Sequence, residues 1–108
     1  MATRTKILVV DSDLDTLSRI YLALVHRNYK VEASDQKEEI AERIKRLNPA
    51  LLILGQNEYL FFQEKLKMPC ITLLDLSEDE FHVPEDVFIL RKPIPLDQLI
   101  QKIEEIVY

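Results

Sequence analysis

The residues of this chain that could do chemistry gather just past its apolar runs. Asp11, Ser12 and Asp13 follow KILVV, Asp75 follows CITLL, and Arg91, Lys92 and Pro93 follow VFIL. Carboxylates brought close to one lysine can hold a divalent cation, steady a charged group or neutralise one another as an ion pair. The same spacing also suits charges that only fan into solvent where loops begin, and spacing alone does not choose. Gly55, the only glycine of the chain, closes the run ALLIL at a corresponding place. A glycine there suits a turn that wants positive φ.

These positions can meet only if the runs are strands of one sheet. KILVV (6–10), ALLIL (50–54) and CITLL (70–74) do not alternate with polar residues, which predicts strands buried on both faces of a parallel sheet. KVEAS (30–34) and VFIL (87–90) are weaker strands, nearer the edges. Helical spacing fills the intervals: Leu14, Leu17, Ile20, Tyr21, Leu24 and Val25 over 13–27, then Ile40, Ala41, Ile44 and Leu47 over 36–47. After Pro95 the stripe Leu96, Leu99, Ile100, Ile103, Ile106 and Val107 predicts a last helix. Ser12 with Asp15, Asp35 with Glu38 and Ser77 with Glu80 have the spacing of capping pairs. Residues 56–68 leave room for about three helical turns, with Tyr59, Phe61, Phe62 and Leu66 to pack them. Residues 75–86 hold Pro84 among many acids and suit a turn or two. Strand and helix thus alternate five times, which predicts helices on both faces of the sheet. In such sheets the ligand crevice lies beyond the carboxyl ends of the strands, where strand order reverses.

Composition bounds the partners. A chain of 108 residues fits one domain, 1–108, and 47% hydrophobic with 31% charged residues is ordinary for a globular protein. A net charge of −5 argues against nucleic-acid binding, which needs a basic face. The apolar stretches are too short to span a bilayer, and the N-terminus lacks a secretion signal, so a cytoplasmic protein is expected. Cys70 is the one cysteine, so an intramolecular disulfide is excluded and a buried structural thiol is expected. His26 falls away from the apolar stripe of its helix and should be solvated. His82, in SEDEFH, reads as a loop residue.

ILVVDSD, then PALLIL, then RKPIPLDQL, in this order and spacing, resembles the receiver domain of bacterial response regulators. The resemblance runs nearly end to end. It implies a flavodoxin-like (βα)5 three-layer sandwich with a parallel five-stranded sheet in the order 2-1-3-4-5, here with shortened third and fourth helices. It also implies transfer of a phosphoryl group from a histidine kinase to an aspartate, with magnesium. Carried over residue by residue, Asp11 matches the first of the family's two adjacent acids, and Ser12 stands where the second, a magnesium ligand, belongs. A neutral hydroxyl is a poor substitute, because hard divalent cations select carboxylate oxygens. Asp13 lies one position on and should point into the first helical turn, leaving Asp11 and Asp13 as weak metal candidates. Gly55 stands where the phosphoacceptor aspartate belongs, and a glycine forms no acyl phosphate. Leu74 replaces the switch threonine or serine, and Ile89 the aromatic switch residue unless a slip of one brings in Phe88. Lys92 and Pro93 match, and the resemblance implies a cis bond between them.

Gly55 therefore reads as a dismantled acceptor site, with Asp75 as the one neighbour that could replace it and a Lys92–Asp11 ion pair as the natural use of the survivors. The expected function is a non-enzymatic protein-interaction module without a cofactor, its magnesium binding weak at most. The partner would be a histidine kinase or another signalling protein, or a second copy, met on a face that includes Phe81, His82, Gln98, Gln101 and Glu105. The alternative is a phosphorylated regulator with an unorthodox acceptor such as Asp75. A nucleotide- or flavin-binding enzyme is disfavoured, since one glycine excludes both the P-loop and the dinucleotide fingerprint.

Overall fold

Apolar runs without polar alternation can be buried only between two layers, and that is where they lie. The computed structural model describes residues 4–75, 84 and 87–108. The elements are β1 (Lys6–Val10), α1 (Leu14–His26), β2 (Lys30–Ser34), α2 (Ile40–Leu47), β3 (Leu51–Gly55), α3 (Gln56–Phe62), β4 (Cys70–Leu74), β5 (Val87–Arg91) and α4 (Leu96–Val107). All strand pairs are parallel, in the order β2-β1-β3-β4-β5. This is the doubly wound, flavodoxin-like order that the resemblance implies.

Side chains alternate across the sheet and build two cores. Ile7, Val9, Ile53, Ile71 and Leu73 meet Leu17, Ile20 and Leu24 of α1 and Leu99, Ile100 and Ile103 of α4. On the other face Leu8, Val10, Leu52 and Leu54 meet Ile40, Leu47, Tyr59 and Phe62. Leu52 and Ile53 are fully buried neighbours that face opposite layers, so truncating either to alanine costs about 2–5 kcal/mol. Cys70 is buried in β4, as expected.

Register aligns the strand ends. Val10 pairs with Leu54, Gly55 with Leu73, and Leu74 with Arg91. One rim of the sheet therefore carries Asp11, Gly55, Asp75 and Lys92 side by side.

Several local expectations give way to the structure. The N-cap of α1 is Asp13, not Ser12: Asp13 Oδ1 accepts from Thr16 N–H at 3.4 Å and Oδ2 from the Thr16 hydroxyl at 2.7 Å. Asp13 sits three residues before that orphan amide, the distance a capping carboxylate reaches. The buried stripe of α1 is narrower than predicted. Leu14, Tyr21 and Val25 are 60%, 38% and 44% exposed, because they sit about a quarter turn away from Leu17, Ile20 and Leu24. The second helical segment splits into a 3₁₀ turn, Lys37–Glu39, followed by α2. Asp35 does not cap it; the Ser34 hydroxyl accepts from Gln36 N–H at 3.0 Å instead, and Ala41 faces solvent. The third helix ends at Phe62 and passes into a 3₁₀ turn, so it is shorter than three full turns. Tyr59 and Phe62 are buried, whereas Phe61 is exposed with Lys37 Nζ 5.3 Å from its ring centre. Apart from Asp75 and Pro84, the segment 75–86, with its Ser77/Glu80 pair, lies outside the described residues.

Candidate functional site

A polar crevice of about 160 Å³ opens on the rim, where β1 and β3 adjoin and strand order reverses. Two larger grooves, of about 660 and 440 Å³, flank α1 and are mainly apolar. Asp11, Asp13, Glu58, Asp75 and Lys92 line the small crevice.

Asp11 follows directly on β1 and is 2% exposed. Its Oδ1 accepts the Asp13 N–H at 2.9 Å, the short-range bond that turns the chain from β1 into α1. Oδ2 is buried without a well-directed hydrogen bond, and its counter-charge is the Lys92 ammonium at 3.0 Å. The Lys92 N–H donates to the Leu74 carbonyl at 2.7 Å, which continues the β4–β5 alignment by one residue and sends the side chain inward. Its Nζ also lies 3.3 Å from Asp75 Oδ1 and 3.5 Å from Asp13 Oδ2. Asp75 is held in turn by its own N–H, which donates to Gln56 Oε1 at 3.4 Å. The expected Lys92–Asp11 pair is thus in place with two further carboxylates around it, and the Lys92–Pro93 bond is cis, as the resemblance implied.

Burial opposes the Lys92 charge, but Asp11 and Asp75 outweigh it and raise the Lys92 pKa above its ordinary value. For Asp11 the balance reverses. Burial outweighs the Asp13 N–H and Lys92, and its pKa rises. The asymmetry follows first from burial, since the Asp11 side chain is 3% exposed and that of Lys92 12%. It follows next from sharing, since Lys92 faces several carboxylates and Asp11 has a part share of one ammonium.

Glu58 is the residue that sequence reasoning missed. It lies in the first turn of α3, is 3% exposed, and directs its carboxylate back over Gly55. A Cβ on Gly55 would run into Glu58 Oε1 and would lie 2.7 and 2.8 Å from Asp11 Cγ and Oδ1. The Gly55 backbone has φ −60° and ψ 166°, which any residue adopts. The expectation of a positive-φ turn is therefore overturned: glycine stands here for lack of space. Burial raises the Glu58 pKa and the Asp11 charge adds to the rise, against the Glu58 backbone amide and hydrogen bonds from the Ser12 backbone and side chain. The available signal was the spacing in GQNE, an acid three residues past a strand-ending glycine, which returns a side chain to the strand end.

The remaining candidates scatter. Leu74 is fully buried and reaches the site through its carbonyl, while Pro93 is exposed. Phe88 packs against the α4-side core with Lys102 Nζ 4.7 Å from its ring centre, so the strand turns Ile89 the other way. Gln98, Gln101 and Glu105 are exposed on α4, as is His26 at the end of α1. Phe81 and His82 lie outside the described residues.

No family model and no curated protein matches the chain. Solved structures do. A protein of Chloroflexus aurantiacus assigned as a response regulator superposes with a TM-score of 0.80 at 19% identity, over 96% of this chain and 98% of the other. The receiver domain of a Francisella response regulator gives 0.77 at 18% identity, over 95% and 96%. A receiver-modulated diguanylate cyclase from Pelobacter carbinolicus gives 0.69 at 27% identity, over 94% and 92%. The chain has the fold of receiver domains.

Proposed function

We propose that this chain is a receiver-type module of two-component signalling that is not phosphorylated and works by protein contact. The observation that carries the reading is the Glu58 carboxylate in the space that a side chain at position 55 would need. A phosphoacceptor is missing from its expected place, and that place is filled. The same rim argues against magnesium. Ser12 is neutral, the inward Asp11 oxygen faces Lys92 Nζ at 3.0 Å, and among the described residues no group of three ligating side chains is placed for a metal. The residues present do not fit the ion.

The partner this reading implies is a histidine kinase or another signalling protein in the cytoplasm. Among the described residues no helix is long and apolar enough to cross a membrane. Gln98, Gln101 and Glu105 offer such a partner the exposed side of α4.

One observation favours a second reading: Asp75 stands half-buried at the crevice, 3.3 Å from Lys92. Intact-mass measurement after treatment with acetyl phosphate and magnesium separates the two. The expected result is an unchanged mass. A stable phosphoryl adduct that disappears in Asp75→Asn overturns the unphosphorylated reading and establishes Asp75 as acceptor.

A further inference from the structure

Three carboxylates converge on the Lys92 ammonium: Asp11 Oδ2 at 3.0 Å, Asp75 Oδ1 at 3.3 Å and Asp13 Oδ2 at 3.5 Å. An ammonium carries three donors, and three carboxylates surround it. Among the described residues that line the crevice, Lys92 is the one cation beside four acids, those three and Glu58. Its side chain is mostly buried, so the charge sits inside the crevice and not at the mouth. Burial works against that charge, but Asp11 and Asp75 outweigh it.

Each of the three carboxylates is also placed by something other than Lys92. Asp11 Oδ1 accepts the Asp13 N–H at 2.9 Å. Asp13 is the N-cap of α1, and the same Oδ2 that faces Lys92 accepts the Thr16 hydroxyl at 2.7 Å. The Asp75 N–H donates to Gln56 Oε1 at 3.4 Å where β4 ends. Turn, cap and strand end thus fix the triangle, and the ammonium fills a place that it does not build. Oxygens of three carboxylates around one point are what a hard divalent cation selects. An ion at that point would meet the ammonium at contact distance and be repelled by it.

We propose that Lys92 is the resident cation of this crevice, its ammonium standing where a divalent ion would otherwise be held and keeping such ions out by occupancy. Ser12 weakens a metal site; Lys92 closes it. This assignment rests on the reading of a crevice that takes no magnesium, and it says which side chain is responsible.

Calorimetric titration and thermal melts of the parent, Lys92→Met and Lys92→Met/Asp11→Asn test it. Calcium is the main probe, because it accepts irregular oxygen shells. The parent should take up neither Ca²⁺ nor Mg²⁺ at about 10 mM. Lys92→Met should bind Ca²⁺ with a Kd of about 1 mM or tighter. At about 10 mM the ion should then raise its thermal midpoint by roughly 5 °C over NaCl of equal ionic strength. Lys92→Met/Asp11→Asn should lose that gain. A measurement on the parent stands even where the variants fail to fold: the Lys92 ammonium protons should exchange with water at least about tenfold more slowly than those of exposed lysines, as read by NMR. Uptake of either ion by the parent overturns both the assignment and the reading beneath it. A parent that binds neither, with a Lys92→Met that gains nothing over NaCl, overturns the assignment alone. So does a gain that survives Asp11→Asn, or a Lys92 ammonium that exchanges as fast as the others.

Discussion

Glu58 and Asp11 set the energetics of the crevice, because two buried carboxylates converge on the volume above one glycine. Gly55→Ala should cost about 1–3 kcal/mol from overpacking alone, since the backbone angles accept alanine. In Gly55→Ala/Glu58→Ala the clash with Glu58 is gone and only the close approach to Asp11 remains, so the two changes should cost less together than the sum of the singles; urea denaturation of the four proteins measures the coupling. The same pair sets a pH dependence. Both carboxylates have raised pKa values in the folded chain, so it holds their protons to higher pH than the unfolded chain does. Stability should then fall as pH rises from the ordinary values of 3.8 and 4.5 through the raised ones. On the acid side the sign reverses: Asp13 and Glu39 have lowered values, and their stabilisation is lost as pH drops through those. Glu58→Gln should flatten the limb above the ordinary carboxylate values and leave the acid limb, as followed by thermal midpoint against pH. Equal slopes on that upper limb in parent and variant would contradict a titrating Glu58.

At the scale of elements, the chain ends its helices without glycine. Asn28 after α1 and Asn48 after α2 adopt φ of 69° and 53°, and the Asn48 N–H donates to Ile44 O at 2.8 Å to close the last turn of α2. Asparagine tolerates this left-handed region better than other side chains apart from glycine. Asn48→Ala should cost about 1–2 kcal/mol, and Asn48→Gly far less, in the same denaturation assay. Asp13→Ala removes the cap of α1 and should cost about 1 kcal/mol. The strands were legible because continuous apolar runs have few other places to go. Cap positions were less so, since Ser12 and Asp13 are both cap-forming types and only the backbone path decides between them. The stripe of α1 was read too wide for a related reason: helical spacing marks which residues share a side, not how far round the sheet reaches, and Leu14, Tyr21 and Val25 fall at the margin.

At the scale of the molecule, topology was the most legible feature and the crevice only half so. Asp11, Gly55, Asp75 and Lys92 each follow a predicted strand, and a parallel sheet must bring strand ends together. Glu58 escaped because it lies on a helix, and its role depends on a side chain folding back over a neighbour. No periodicity reports that. The reason for Gly55 escaped with it. The whole rim also depends on Lys92, which joins segments from both ends of the chain. Its 12% exposed side chain meets an Asp11 carboxylate that is 3% exposed. Lys92→Met leaves that carboxylate buried without its counter-charge and should cost about 3–5 kcal/mol.

The contact between Lys92 and Asp13 spans 79 positions of sequence. Bringing such distant segments together closes a long loop, which is among the later things a chain accomplishes, whereas the β1–α1–β2 unit can organise from nearby residues. Lys92 should therefore act as a latch set after the rate-limiting barrier. In stopped-flow kinetics, Lys92→Met should accelerate unfolding by nearly the whole of its stability loss and leave the refolding rate almost unchanged.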